Sequence, residues 1–470
     1  MYAATIFILG VLPTLLLFVA SQYEAKGPGP APLKVMAWTW LLGYTLKCIY
    51  LGFAVVYDLP FRPDWVAFYI IDIGQFAITL AVVSLIAGYF LASAYSPSRG
   101  SIRPVAAPRI DWRFIYWAFF ALSLGLIAIY FQQMGFIEQI RSLRFVATKF
   151  FVDEEGDRSA LGFLAIGGDW LVVFFIYWLA MSKKLTKVNI YTVAIGFVSL
   201  TMFLSSRRNT ILAIIIVALI VLSFRHMQKL SAEAKAIKIA GRLGILATVL
   251  IFVSFSSQIR DGSRAGQGIQ DLSVFAAIEA SATHAFEGAY FIDPAKTAGI
   301  IDRLDTDSEL FLGSTYATFL LAPIPRVMWE DKPNIRLGPF VAQDLFTTGG
   351  LTGFPPGGIG ELYLNFGWLG IPFGMALFGA FLSFVRKRQL ASSDQRFAGA
   401  RYALLCMVAI YFVTVEFTAA VVIYLKYAVA IFIVERYWAF QHAAEMKKAI
   451  LKSPAARKVS QLRPRPSVAR

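Results

Sequence analysis

"TILAIIIVALIVLSF", residues 210–224, contains no charged side chain and no turn residue. Wound into a helix it is apolar on every side, so it has no face to turn toward water and none to turn specifically toward a core. Only a lipid environment suits such a segment along its whole length. Comparable runs recur throughout the 470 residues: 58% are hydrophobic, 16% are charged, and the mean hydropathy is +0.63. The chain therefore reads as an all-α, polytopic integral membrane bundle. Its opening stretch, "ATIFILGVLPTLLLFVAS", lacks a basic leader and a small-residue cleavage site, so it reads as a retained span and not a signal peptide. Both cysteines, Cys48 and Cys406, fall inside apolar runs, which excludes a disulfide framework as the design.

Hydropathy places about eleven spans, near 3–21, 33–57, 65–95, 112–134, 160–181, 188–204, 208–224, 238–257, 357–385, 401–420 and 421–440. The connecting segments divide by charge. Segments 96–113, 182–187, 225–238 and 386–401 are basic with few acids, and so is the tail after residue 445. The alternate segments are short or acid-balanced, as in "FFVDEEGDRSA" (150–160). Basic loops stay in the cytoplasm, so the N-terminus is expected outside and the C-terminus inside. The net charge of +15 then belongs to cytoplasmic loops and anionic lipid, with no nucleic-acid partner implied.

Residues 1–445 form one transmembrane domain on this reading, and 446–470 a basic cytoplasmic tail. The long connection 258–356 becomes an extracytoplasmic cap. Within it, 271–292 reads as an amphipathic helix, and "APIPRVMWEDKPNIRLG" (322–338) as a loop stiffened by Pro323, Pro325 and Pro333 and loaded with charge.

Ionisable side chains inside spans are costly and point to function by default. Lys47, Asp72, Asp169, Glu361, Glu416 and Lys426, with Arg207 and Arg208 at a helix mouth, all map to the outer halves of their helices at 1.5 Å of rise per residue. A path crossing the whole bilayer needs polar groups at several depths. A one-sided set fits chemistry at the outer leaflet. The competing reading is structural pairing between helices, such as Glu416 with Lys426.

Three motifs carry a family resemblance: "FLSSRRNTILAIII" (203–216), "PIPRVMWEDKP" (323–333) and "GGIGELYLNFGWLGIPFGMALFGAFL" (357–382). Together, over about residues 200–385, they resemble the O-antigen polymerase (Wzy-type) family of oligosaccharide repeat-unit polymerases. The Arg-x10-Gly spacing of some members is not met at Arg260, Arg303, Arg326 or Arg336, so no role is carried over through it. The resemblance implies a glycosyltransferase at the outer face of a bacterial inner membrane. Such an enzyme moves a glycan from polyprenyl diphosphate onto the next lipid-linked repeat unit. It implies polyprenyl-diphosphate-linked oligosaccharides and membrane lipid as partners, with a chain-length regulator as a possible further one. No cofactor is expected. The alternatives are an O-antigen ligase-like transferase, or a lipid-linked oligosaccharide flippase or exporter, which is not an enzyme.

Residue chemistry supplies roles for that reaction. A departing diphosphate needs fixed cations, and arginine binds phosphate oxygens bidentately without losing its charge. Arg207, Arg208 and Arg326 are the expected clamp, with Lys332 and Arg336 as further substrate contacts. The acceptor hydroxyl needs a proton acceptor, for which Glu361 is preferred over Glu279, Glu287 and His284. Its structural alternative is a carboxylate at a helix N-terminus. Tyr363, Asn365, Trp329, Glu416, Lys426, His284 and Glu287 complete the expected binding set. "DTD" (305–307) matches a metal-binding Asp-x-Asp in three letters only and reads as a turn. With three histidines, none in ligand spacing, no metal is expected.

Overall fold

The computed structural model describes residues 2–27, 29–57, 70–95, 113–133, 166–181, 220, 292–307, 309–322, 324, 328–329, 331–333, 336–346, 354–392 and 395–452. Its helices are α1 (Tyr2–Gln22), α2 (Pro32–Trp40), α3 (Leu46–Tyr57), α4 (Ile71–Tyr95), α5 (Arg113–Gln133), α6 (Ile166–Met181), α7 (Pro294–Asp307), α8 (Gly357–Leu390), α9 (Gln395–Thr414) and α10 (Phe417–Lys452). Shorter turns lie at Ser314–Leu321 and Gly338–Leu345. A π-turn at Leu41–Thr45 joins α2 to α3 without interrupting the span. Among the described residues six helices are long and apolar enough to cross a membrane: Ala3–Gln22, Pro32–Tyr57, Ile71–Tyr95, Gly357–Leu390, Phe397–Thr414 and Phe417–Gln441. This is an all-α, multi-pass membrane protein. α5 and α6 coincide with the expected fourth and fifth spans. The expected spans 188–204 and 238–257, all of 208–224 but Ile220, and all of the cap helix 271–292 but Ile292 lie outside the described residues. α10 continues to Lys452, past the expected start of the tail.

Side-chain contacts fix the two ends of the bundle. At one end Tyr402 O–H donates to the Pro30 carbonyl (2.8 Å), the Arg386 guanidinium to the Ala25 carbonyl (3.2 Å), and Lys387 Nζ to the Ala92 and Ser93 carbonyls (2.7 and 2.9 Å). This gathers the C-termini of α1, α4 and α8 with the N-termini of α2 and α9. At the other end Lys47 of α3 reaches Asp293, which precedes α7. α1, α4 and α8 therefore run in one direction, and α2–α3 and α9 in the other.

α4 and the second part of α8 run side by side. Phe76 meets the Trp368 ring, Gly88 lies against the Ala376 carbonyl, and Gly379 against the Leu85 carbonyl. Small residues here let two backbones approach closely, the usual source of helix association in lipid. Gly74 does the same for α7, resting on the Pro294 carbonyl.

α8 is not the single straight span that hydropathy predicts. Gly367 has φ 59° and ψ −150°, a conformation essentially reserved for glycine. Leu362 lies against Gly374 and its carbonyl against Gly370. In a continuous helix residues 362 and 374 are about 18 Å apart, so the half-helix 357–366 folds back on 368–390. Gly358 lies against the Phe412 carbonyl, and the Phe412 ring packs on Phe378 at 4.7 Å. Phe378 is about 15 Å along the helix from Trp368, roughly half a hydrocarbon core. The half-helix is thus re-entrant: it starts at mid-depth and ends near the surface. The α9–α10 turn, expected at 420/421, falls instead at Val415–Glu416, beside that mid-depth start.

Any side chain at Gly367 forces this left-handed conformation to relax, at a cost of about 1–3 kcal/mol. Gly367→Ala is expected to lower the melting temperature of purified protein. Gly125, whose Cβ position meets no described residue, provides the control: Gly125→Ala in the helix interior should not lower the melting temperature.

Candidate functional site

Four interrupted elements converge where the re-entrant half-helix lies: the half-helix itself, the α9–α10 turn, the turns after α7, and the segment entering Gly338. Each brings unpaired backbone groups, and at membrane depth water does not satisfy them. They satisfy one another. The carbonyls of Leu364 and Asn365, at the surface end of the half-helix, accept the amides of Phe311 and Leu312 at 3.0 Å each. At its deep end Gly357 N–H donates to the Val415 carbonyl at 2.8 Å. The first amide of α10, Phe417 N–H, donates to Glu361 Oε2 at 2.5 Å. Leu337 N–H donates to Glu416 Oε2 at 3.1 Å.

Glu361 is completely buried. Its other oxygen accepts the Thr315 hydroxyl at 3.4 Å, and Asn365 Nδ2 donates both to Thr315 Oγ1 (2.7 Å) and to the Glu361 carbonyl (2.8 Å). Thr418 donates to the Thr315 carbonyl, closing a small hydroxyl–amide–carboxylate network. Glu361 does sit at a helix N-terminus, as its structural alternative supposed, but the helix is α10 and not its own. A carboxylate there complements the positive end of the macrodipole.

Charge is balanced in alternating pairs. Lys47 pairs with Asp293, whose other oxygen accepts the Ala295 and Lys296 amides at 3.0 and 3.3 Å and so caps α7. Lys296 follows, 1% exposed, and burial pushes its ammonium down to about 8 against the pull of Asp293. Glu416, also buried, pairs with Arg336 (3.4 Å), whose side chain is 45% exposed. Lys426 pairs with Asp169 (3.1 Å). The anticipated Glu416–Lys426 pair is therefore replaced by two others, because Glu416 sits on the α9–α10 turn facing Arg336, while Lys426 lies more than two turns further along α10, facing α6.

Of the expected site residues, Glu361, Asn365, Glu416 and Arg336 come together. Tyr363 is buried, its ring edge-on to Trp368 at 5.5 Å, and packs the half-helix in place of facing open space. Asn365 has its amide group engaged in the network just described. Trp329 is partly exposed, and Lys332 turns inward to donate to the Ile324 carbonyl at 2.7 Å, which braces the proline loop. Lys426 is committed to Asp169. Arg207, Arg208, Arg326, His284, Glu279 and Glu287 lie outside the described residues. "DTD" forms the last turn of α7. Among the described residues no three His, Cys, Asp or Glu side chains gather in a metal-binding group.

Asp293, Lys296, Thr315 and Thr418 were missed by sequence reading. For the first two a signal existed: "DPAK" is an acidic cap followed by proline at the first helical position. A helix start there places Asp293 and Lys296 one turn apart. Thr315 and Thr418 carry no such signal.

The chain matches no protein-family model, no curated protein and no solved structure.

Removing one partner of a buried ion pair leaves an uncompensated charge and typically costs 3–5 kcal/mol, whereas removing both costs far less. Asp293→Asn should accordingly lower the melting temperature more than the double variant Lys47→Met/Asp293→Asn. A double variant less stable than the single would show that the pair is not a coupled unit.

Proposed function

We propose that this protein is a polyprenyl-diphosphate-linked glycan polymerase, a glycosyltransferase acting at the outer face of a bacterial inner membrane. One observation carries the reading: Glu361, Asn365, Glu416 and Arg336 come together around the re-entrant half-helix, apart from the second buried polar cluster of Glu24, Arg386 and Gln389 at the opposite end of the bundle. A substrate anchored by a lipid tail needs its reactive groups gathered in one such place. The motif resemblance adds the substrate class, and Arg207, Arg208 and Arg326 remain the proposed diphosphate clamp.

In this reading Glu361 accepts the proton of the attacking sugar hydroxyl. Its present partners are a backbone amide and a threonine hydroxyl, both neutral donors, so no ion pair must be broken before it takes a proton. Arg336 holds Glu416 in place and leaves part of its guanidinium exposed for a phosphate oxygen. The glycosyl bond to the diphosphate breaks as the new glycosidic bond forms, and the diphosphate leaves on its carrier.

The re-entrant half-helix favours a second reading, a lipid-linked oligosaccharide exporter, because discontinuous helices form the substrate sites of many transporters. The two differ in what Glu361 must do.

Glu361→Gln keeps the side-chain volume and one acceptor oxygen for the Phe417 amide, turns the Thr315 contact into one that the new amide group donates, and removes the base. The expected outcome is normal protein abundance with polymerisation slowed about 10²–10⁴-fold, seen as single repeat units on a polysaccharide gel. An exporter defective at this position would instead trap unpolymerised units on the cytoplasmic side. A reporter after Asp293 should read extracytoplasmic and one after Arg388 cytoplasmic; the same side for both would sink the topology on which the reading stands.

A further inference from the structure

A groove of about 1300 Å³ runs between the second half of α8, α9 and α10. From Leu369 to Arg388, both of which line it, it extends about 28 Å at helical rise, close to a full hydrocarbon core. Its two ends differ. At the Glu361 end the walls are Tyr316, Leu362, Phe366 and Phe417, with no cation among the described residues. At the opposite end stand Arg388, Arg401 and Glu435. Arg401 is paired with Glu435 at 3.0 Å. Arg388 is exposed and makes no ion pair among the described residues.

We propose that the half of this groove nearest Arg388 binds an anionic glycerophospholipid, with its phosphate on Arg388 and one acyl chain along Phe384, Phe381 and Phe432. A phosphate and a guanidinium form paired, charge-assisted hydrogen bonds. Basic pockets between membrane helices recognise anionic headgroups in this way. Arg401, already neutralised by Glu435, adds hydrogen-bonding capacity without requiring a doubly charged head. A single acyl chain reaches about half of a 30 Å core, which matches the Phe384–Phe381–Phe432 wall and leaves the rest of the groove free. The carrier of the proposed reaction fits this half poorly. Its diphosphate has to lie by Glu361, whereas Arg388, without an ion-pair partner among the described residues, lies about 21 Å along α8 from Gly374, the residue that Leu362 touches. The lipid site therefore goes beyond the proposed function and does not rest on it.

The test uses the full chain carrying a photoreactive phenylalanine analogue at Phe384, in nanodiscs of phosphatidylcholine with about a fifth phosphatidylglycerol. Irradiation and mass spectrometry identify the attached lipid. The expected result is a phosphatidylglycerol adduct enriched about 5-fold or more over its share of the bilayer, an enrichment lost in Arg388→Gln and largely kept in Arg388→Lys. Raising the salt concentration on the unmodified arginine protein should weaken the enrichment, which keeps the test independent of how the variants fold. Adducts that follow bilayer composition, or enrichment that survives Arg388→Gln, overturn the assignment. So do cross-links only within the chain, and so does displacement of the adduct by a long-chain polyprenyl phosphate.

Discussion

An interrupted helix inside a bilayer exposes amides and carbonyls that lipid does not satisfy, at several kcal/mol each. That constraint organises this structure. Breaking α8 at Gly367 exposes Leu364 and Asn365 carbonyls, which the amides of Phe311 and Leu312 answer. Turning α9 into α10 exposes the Phe417 amide and the Val415 carbonyl, answered by Glu361 and by the Gly357 amide that opens α8. None of these elements is stable alone at that depth. The turns after α7, the half-helix and the α9–α10 turn must form together, which makes the region a cooperative unit and accounts for the burial of side chains as polar as Glu361 and Asn365.

The same logic sets the electrostatics. A carboxylate used as a cap at membrane depth carries a charge that has to be matched nearby. Glu416 has Arg336, with Lys296 within electrostatic range, and Asp293 has Lys47. Glu361 has no cation among its described hydrogen-bonding and ion-pairing partners and relies on two dipoles, the N-terminus of α10 and the Thr315 hydroxyl. It is therefore the member of the set whose charge is least anchored by a neighbouring cation among the described residues.

Hydropathy made the membrane class and the described long helices legible, because burying some twenty apolar residues leaves a continuous signal that no other environment explains. It also singled out Glu361, Glu416 and Arg336, which the structure brings together. It failed at the re-entrant segment. "GGIGELYLNFGWLG" is as apolar as a through-going span, and its reversal depends on one backbone conformation at Gly367, in a stretch where glycines recur and only one turns. Pairing failed similarly: Glu416 and Lys426 are near in sequence, but the partner of each comes from an element far along the chain, Arg336 in one case and Asp169 in the other.

The polar centre and the apolar groove share a wall. Leu362 and Phe417 line the groove, and each is bound to Glu361, one through the chain and the other through its amide. Tyr316, next to Thr315, packs edge-on against Phe417 at 4.9 Å and lines the groove as well. A change in what the Glu361 carboxylate accepts therefore acts directly on the position of Phe417, and through it on the upper mouth of the groove. Conversely, a chain entering the groove at that end presses on the residues that fix the carboxylate. The Glu361 carboxylate and the mouth of the groove near Phe417 are thus linked by three contiguous contacts, with no need for motion of the bundle as a whole. The Arg388 end is separated from this coupling by about 21 Å of helix, counted from Gly374, which Leu362 touches. A headgroup held there, as proposed, would steady α8 and α9 against one another while leaving the mouth near Phe417 free to respond.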